Sequence, residues 1–427
     1  MKNLFGCLLI IFLFPSFGFC AQIADHGQPL TLDDCYKLAL KQSELIAIDA
    51  EKIKEAEAHF LQAFGTLLPQ VSFSRTDIRQ DIGGGSSSGG SPLSKRSFQQ
   101  GFVFTQVLFS GFKEFAAMSG SQLEKNQRKQ EKLRAEQLLF VDVSDSFYLL
   151  LQARADLKAL DAIGHAFTDR IKELKARVDI GRSRISEVVF TESQLYNVEA
   201  DIELGKSLER IARELLEFLT GRPIDGLIDT ELDFTLKSEG EYLAKAVSRP
   251  DVMAADFAWK LDQQGVVVAR SGFFPTVNLE YDRFTHRNTA PEDGQWQALL
   301  MIDVPIFEGT VTFGNVKEAV SIAKESELTF QRTKRIAVEE TIDAYANVEA
   351  NVVREKILKK ALQSAELNYK LQSEDYKLSV VNNLDVLTAI QNLLDAQRSH
   401  IQAFYQAKRF YWQLLLAAGE INVEPFR

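Results

Sequence analysis

Polar and apolar residues alternate from Gln70 to Gln80, in QVSFSRTDIRQ, and that period of two predicts a strand. Phe98 to Phe109, FQQGFVFTQVLF, is rich in aromatic and β-branched residues and predicts a second. Two more fall late in the chain, Thr276–Thr285 (TVNLEYDRFT) and Gln295–Phe307 (QWQALLMIDVPIF). Elsewhere the period is seven. Leu133, Phe140 and Phe147 recur at that spacing in a Pro-free stretch from Phe112 to Asp179. One helix of that length would span about 100 Å. A turn at Gly181–Ser186 leads to a returning helix from Glu187, in which Val188, Leu195 and Ile202 recur every seven residues. Glu209 interrupts the series, and Leu204, Ile211 and Phe218 open another. The pattern predicts a coiled-coil seam with one local change of register.

The same order of elements occurs twice, and internal repetition sets the architecture. Gly111 and Gly309, Glu187 and Asp385, and Gly221 and Gly419 are each 198 positions apart. Pro69 and Pro275, which end the helices before the strands, are 206 apart. The extra residues in the first copy fall at a Gly/Ser loop, Gly83–Pro92, as suits an exposed tip. The predicted organisation is a signal over 1–20, a first repeat over 21–221, a linker over 222–241, a second repeat over 242–419 and a tail over 420–427. In the first repeat a helix runs from Leu32 to about Leu68, with Thr31 as N-cap, and the long and return helices cover 112–179 and 187–220. In the second, a helix over Tyr242–Gly272 is interrupted near Arg249-Pro250, and the long and return helices cover 310–377 and 385–418.

Composition narrows the setting. Lys2, the apolar run Leu4–Phe17 and the exit Gly18-Phe19-Cys20-Ala21 read as an export signal. Plain cleavage is favoured over a lipoprotein site, because Phe19 rather than a small residue precedes Cys20. Cys7 leaves with the signal and Cys35 stands alone, so no disulfide framework is expected. No later run is long and apolar enough for a spanning helix. The formal charge of −10 argues against nucleic acid as a partner. There is no phosphate-cradling loop, nucleophile elbow or Cys/His cluster of metal spacing. His165 and His400 read as packing or surface residues. Neither enzyme chemistry nor a cofactor is expected.

The strands are about ten residues long, the length of a tilted membrane-spanning strand. Open edges cannot face lipid, and four strands are too few for a barrel, so several chains would have to share one. Phe102, Phe104, Phe109, Tyr281, Trp296 and Phe307 would then supply lipid-facing or girdle aromatics. A small soluble sheet capping a helical bundle, with these aromatics as its core, fits the pattern as well.

AFGTLLPQVSFS (Ala63–Ser74), ARSGFFPTVNLEY (Ala269–Tyr281), VLFSG (Val107–Gly111), VPIFEG (Val304–Gly309) and NNLDVLTAIQNLLDAQ (Asn382–Gln397) carry a family likeness. Over nearly its whole mature length the chain resembles the TolC family of outer-membrane efflux proteins. The resemblance implies a mainly α fold with membrane β: a homotrimer with a long helical α-barrel and a shared 12-stranded β-barrel. It implies a passive exit duct of a Gram-negative outer membrane with a large periplasmic portion. The implied partners are outer-membrane lipid, a periplasmic adaptor protein and an inner-membrane pump or ABC transporter, in efflux or type I secretion. The competing class is a soluble periplasmic coiled-coil scaffold or adaptor.

The resemblance places the gate at the helical turns. Glu187 and Asp385 would start the returning helices there, and Tyr376 would hold the closed tip by hydrogen bonding. An ordinary helix-start role and seam packing are the simpler alternatives. The chain departs from the family where some members carry an Arg (here Val381), an acidic residue (here Thr388) or a second turn glycine (here Ser379). Arg182 and Arg184 are therefore expected to supply basic partners to Asp385 or Glu187. Gly181, Ser183, Val380 and Val381 suit close docking of an adaptor. Neutralising Arg182 and Arg184 is expected to raise leak conductance in a planar bilayer.

Overall fold

The computed structural model describes residues 29–79, 96–230, 234–288 and 294–423. The expected export signal and the Gly83–Pro92 loop lie outside the described residues. The first repeat is built of α1 (Leu32–Gln42), α2 (Glu44–Gly65), β1 (Gln70–Arg79), β2 (Arg96–Ser110), α3 (Lys113–Asp179) and α4 (Ile185–Thr220). The second has α5 (Glu239–Ala246), α6 (Pro250–Arg270), β3 (Thr276–Arg287), β4 (Trp296–Asp303), α7 (Val311–Lys377) and α8 (Asn383–Ala418). Each long helix, α3 and α7, has 67 residues. No described helix is long and apolar enough to cross a membrane.

Several element boundaries differ from expectation. The helix expected from Leu32 to Leu68 breaks at Ser43, which ends α1 and caps α2 by accepting from the Ile46 N–H at 3.4 Å. Ser43 lies 206 positions before Arg249, where the second copy breaks as expected. The break is thus duplicated, but only the second copy marks it with a proline. β4 stops at Asp303 rather than Phe307, because Pro305 has no N–H to continue the ladder. The return helices begin at Ile185 and Asn383, so Glu187 and Asp385 sit inside the first turn. The tail also begins as core: Ile421 and Val423 pack with α1, α3 and the linker residue Ile224.

The strands form one antiparallel sheet in the order β1-β2-β3-β4. Cross-strand partners share a face. Phe73 pairs with Phe102, Phe104 with Tyr281, Leu279 with Leu300 and Val277 with Ile302, so one face is largely apolar, with Gln106 and Arg283 among its residues. Ser72, Val103 and Asp282, with Thr105 and Glu280, occupy the other. Phe73, Phe102, Phe104, Tyr281, Trp296, Leu300 and Ile302 are all exposed. Among the described residues, no helix covers that face. Within one chain, the aromatics are therefore not the core of a capping sheet. Leaving these side chains in water would forgo on the order of 10 kcal/mol of burial.

The expected change of register in α4 does not occur. Val188, Thr191, Leu195, Val198, Ile202, Gly205, Glu209, Ala212 and Leu216 run along one unbroken seam of alternating three and four spacing, packed mainly on α3. Glu209 keeps its place because Arg154 Nε and Arg213 Nη2 donate to Oε1, at 3.0 and 2.7 Å. Burial opposes its charge, but the two guanidiniums outweigh that and hold the carboxyl below its usual range. Leu204, Leu208, Ile211, Leu215 and Phe218 form a second seam on another face of the helix, and all are exposed. The sequence had merged two parallel stripes into one broken one. A carboxyl of depressed pKa stabilises the fold above the ordinary carboxylate range, and that support is lost as the pH falls through the lowered value. Glu209→Gln is therefore expected to cost about 1–2 kcal/mol at pH 7, and less below about pH 4, in thermal unfolding of the detergent-solubilised protein.

Candidate functional site at the hairpin ends

The two hairpin turns share one backbone geometry. Gly181 adopts φ 70, and the N–H groups of Gly181 and Arg182 donate to the carbonyls of Val178 and Arg177 at 2.9 and 2.8 Å. At the positions 198 further on, Ser379 has φ 59, and Ser379 and Val380 donate to the carbonyls of Tyr376 and Asp375, each at 3.0 Å. This paired closure satisfies carbonyls that a helix end leaves free and favours glycine at the left-handed position. Ser379 meets the same geometry with a Cβ in place.

The acidic residues are held by their own turns. Ser183 Oγ donates to Glu187 Oε2 at 2.7 Å. Asp385 and Asn382 form a reciprocal capping box: the Asn382 N–H donates to Asp385 Oδ2 at 3.0 Å, and the Asp385 N–H to Asn382 Oδ1 at 3.1 Å. Arg182 and Arg184 are exposed, and among the described residues neither forms an ion pair with Glu187 or Asp385. The expected basic partners are therefore not supplied within one chain. A carboxylate in the first turn of a helix is stabilised by local hydrogen bonds, so the turn satisfies it without a cation.

Tyr376 is held in a different way from that expected. Its ring is buried, and no hydrogen bond from its hydroxyl is formed among the described residues. The guanidinium carbons of Arg170 and Arg177 lie 3.5 and 4.2 Å from the ring centroid. Both arginines come from α3. Glu173 joins them, taking Arg170 Nη1 at 2.8 Å and Arg177 Nη2 at 3.2 Å. Arg170 Nε also donates to Asn383 Oδ1, at the start of α8, at 2.9 Å. The sequence reading missed Arg170, Glu173, Arg177 and Asn383. A signal existed: Ile163, Arg170 and Arg177 lie seven apart, so the arginines continue an inward-facing series.

Of the expected docking residues, Gly181 is open on all sides and Val380 is 71% exposed. Val381 turns inward against the seam, and Ser183 is engaged by Glu187. The exposed apolar surface of the turns is completed by Ile180, Leu378, Ile185 and Leu384. Ile180 and Leu378 occupy equivalent places in the two turns, but Arg182 is replaced by Val380 and Ser183 by Val381. One turn is basic and the other apolar on the same scaffold. Ser379→Gly removes the left-handed strain and is expected to stabilise the protein by about 0.5–1 kcal/mol, read as a raised melting temperature.

Comparison with known proteins gives a consistent result. The family profile described as outer membrane efflux protein matches residues 35–222 and 244–420, leaving a gap at the linker between the repeats. Outer membrane protein TolC of Vibrio cholerae is 21% identical over 394 residues, covering 89% of this chain and 88% of that protein. Cation efflux system protein CusC of Escherichia coli is 22% identical over 379 residues, covering 83% and 79%. Among solved structures, a membrane protein from Pseudomonas aeruginosa superposes with a TM-score of 0.81 at 19% identity, covering 91% and 93% of the two chains. At that identity the superposition shows the fold.

Proposed function

Since the chain belongs to the outer membrane efflux protein family, we propose that three copies form a passive duct through the outer membrane and periplasm of a Gram-negative cell. The observation that carries this reading is the sheet. It has two unpaired edges, β1 and β4, and a bare apolar face. In lipid, unpaired backbone groups are too costly to leave, so the edges must meet those of other copies. Four strands from each of three chains would close a barrel of reasonable size.

The internal duplication supports one assignment of the surfaces that meet. α8 is flanked by α7 of its own repeat and by α3 of the other. α4, its counterpart, packs on α3 and, near its end, on α1, and among the described residues its second seam is left exposed. By the repeat relation the missing neighbour is α7 of the next copy, which exposes Ile342, Val353, Ile357, Leu367 and Leu371. The pairing of β2 with β3 maps in the same way onto β4 with β1 of the next copy. Val103 opposite Asp282 becomes Met301 opposite Thr76, and both lie on the polar face. Gly111 is packed under Ser271 and Phe274, while Gly309 is open, as expected if its cover comes from the next copy.

Within this reading the hairpin ends form the periplasmic mouth. The exposed turn residues Gly181, Val380, Ile180 and Leu378, with Arg182 and Arg184, receive a periplasmic adaptor that joins the duct to an inner-membrane pump or ABC transporter. The duct assigns no catalysis to the chain and needs no cofactor. A passive duct leaves cargo choice to the pump. Drugs, metal ions, peptides and secreted proteins are all compatible with it, and the co-purifying adaptor would distinguish efflux from type I secretion.

The test is fractionation joined to cross-linking. The protein is expected in the outer membrane, resistant to salt and alkaline extraction, and trimeric. A Thr76→Cys/Met301→Cys variant is expected to yield covalent trimers on oxidation, whereas the slipped pair Ser74→Cys/Met301→Cys is expected to link poorly. A monomer that extracts into salt would end the proposal. Ile211→Glu together with Leu215→Glu is expected to abolish the trimer while leaving helix content unchanged by circular dichroism.

A further inference from the structure

We infer that the apolar face of the sheet ends, at its loop side, in a binding surface for a phosphate-bearing glycolipid of the outer leaflet. The acyl chains lie on the apolar rows, and the phosphates meet four arginines set beyond them. This rests on the duct reading above and names the lipid that its wall takes.

The strand register places the arginines. Phe73 and Phe102 are partners, and every second residue along each strand shares their face. From the helix end to the loop end, β1 shows Val71, Phe73, Arg75, Asp77 and Arg79 there, and Arg96 of β2 is paired with Arg79. Arg283 of β3 stands opposite Phe102. Arg75, Arg79, Arg96 and Arg283 are all exposed. At the helix end the same face carries Val71, Val277 and Ile302, and no charge among its described strand residues. The other face sorts its charge the opposite way, with Glu280, Asp282 and Asp303. In a duct whose helices fill the periplasm, the loop end faces outward. The cations therefore sit at the outer leaflet and not at the inner one.

Four guanidiniums share one carboxylate on this face. Asp77 accepts from Arg96 Nε and Nη2 at 3.1 and 2.7 Å, and Arg79 Nε lies 3.9 Å from it. Arg79 and Arg96 are direct cross-strand partners, a like-charge pairing that destabilises a sheet unless an anion offsets it. Arg75 donates to a neutral amide, Gln100 Oε1, at 3.4 Å, and its guanidinium carbon lies 5.9 Å from the Phe98 ring centroid. Arg283 Nη1 donates to the Gln295 carbonyl at 3.2 Å. An arginine on the lipid face of a barrel is costly away from the headgroups, and a phosphate offsets that cost. Every Lys or Arg among the described strand residues is an arginine. The guanidinium fork takes two phosphate oxygens at once and stacks on aromatic rings, which an ammonium does less well. Beside Arg283, Tyr281 and Trp296 stack with centroids 6.1 Å apart, as rings do at headgroup level. Apolar rows continuing into a basic rim fit a lipid better than a free anion.

The test is binding of lipid A, a glycolipid with two phosphates, to purified full-length trimers in detergent, read by native mass spectrometry. The parent is expected to hold it on the order of a hundredfold more tightly than dephosphorylated lipid A with the same acyl chains. Arg75→Gln/Arg79→Gln/Arg283→Gln leaves the Asp77–Arg96 pair in place and is expected to erase that preference. Arg283→Gln alone is expected to lower it about fivefold. Arg287→Gln, on the polar face, is expected to keep it. Trimer content on an unheated gel reports folding of each variant, and the comparison of two lipids on the parent needs no variant. Equal binding of the two lipids by the parent, or a loss in Arg287→Gln as large as in the triple variant, overturns the inference. Displacement of lipid A by inorganic phosphate at the same concentration also overturns it, since the arginines would then be a site for the free ion. Each of these results leaves the duct standing. A parent that is not trimeric in the outer membrane would instead remove the duct on which the surface depends.

Discussion

Unpaired backbone at the two edges of a four-stranded sheet is the constraint from which the rest of this molecule follows. In water such edges can be hydrated, and in lipid they cannot. The face that would touch lipid is largely apolar and exposed on all four strands. A soluble protein of ordinary stability, about 5–15 kcal/mol, could not easily sustain the loss of burial this represents. The sheet is therefore a segment of a wall, and the chain is built to supply identical segments.

The helices repeat that logic in another currency. α4 carries two apolar seams, one spent on α3 and one left bare. A two-stranded coiled coil needs one seam per helix, whereas a helix in a closed ring needs two, displaced around its axis. Glu209 shows how firmly the inner seam is kept. A carboxylate stands where a leucine would serve, and two arginines neutralise it so that the spacing continues unbroken. The α8 copy already has neighbours on both sides within the chain. A duplicated chain thus contains one complete example of the contact its other copy can make only with a partner.

The tip departs from this regularity. Backbone geometry at the two turns is the same to within a hydrogen bond, yet one displays arginines and the other valines. Duplication preserved the scaffold, while the side chains diverged. The contact around the Tyr376 ring is equally asymmetric. The arginines lie on the first long helix and the tyrosine on the second, so the two repeats grip one another instead of being interchangeable.

Periodicity, caps and duplication are local or one-dimensional properties, and they were legible in the residues. The seven-residue repeats of α3, the Pro-terminated helices and the common offset of 198 each follow from spacing along the chain. The break at Ser43 was not legible, because serine caps a helix as well as it sits within one. Nor could spacing show that Leu204 and Leu195 belong to different faces, since heptads out of phase look like a slip until the neighbours are placed. Whether the aromatic strand residues faced a core or lay bare was decided by packing alone. The pairing of Tyr376 with Arg170 and Arg177 was also a tertiary matter. Attraction between a cation and a ring depends on distance in space, and nothing in the order of residues records which helix end a distant side chain will reach.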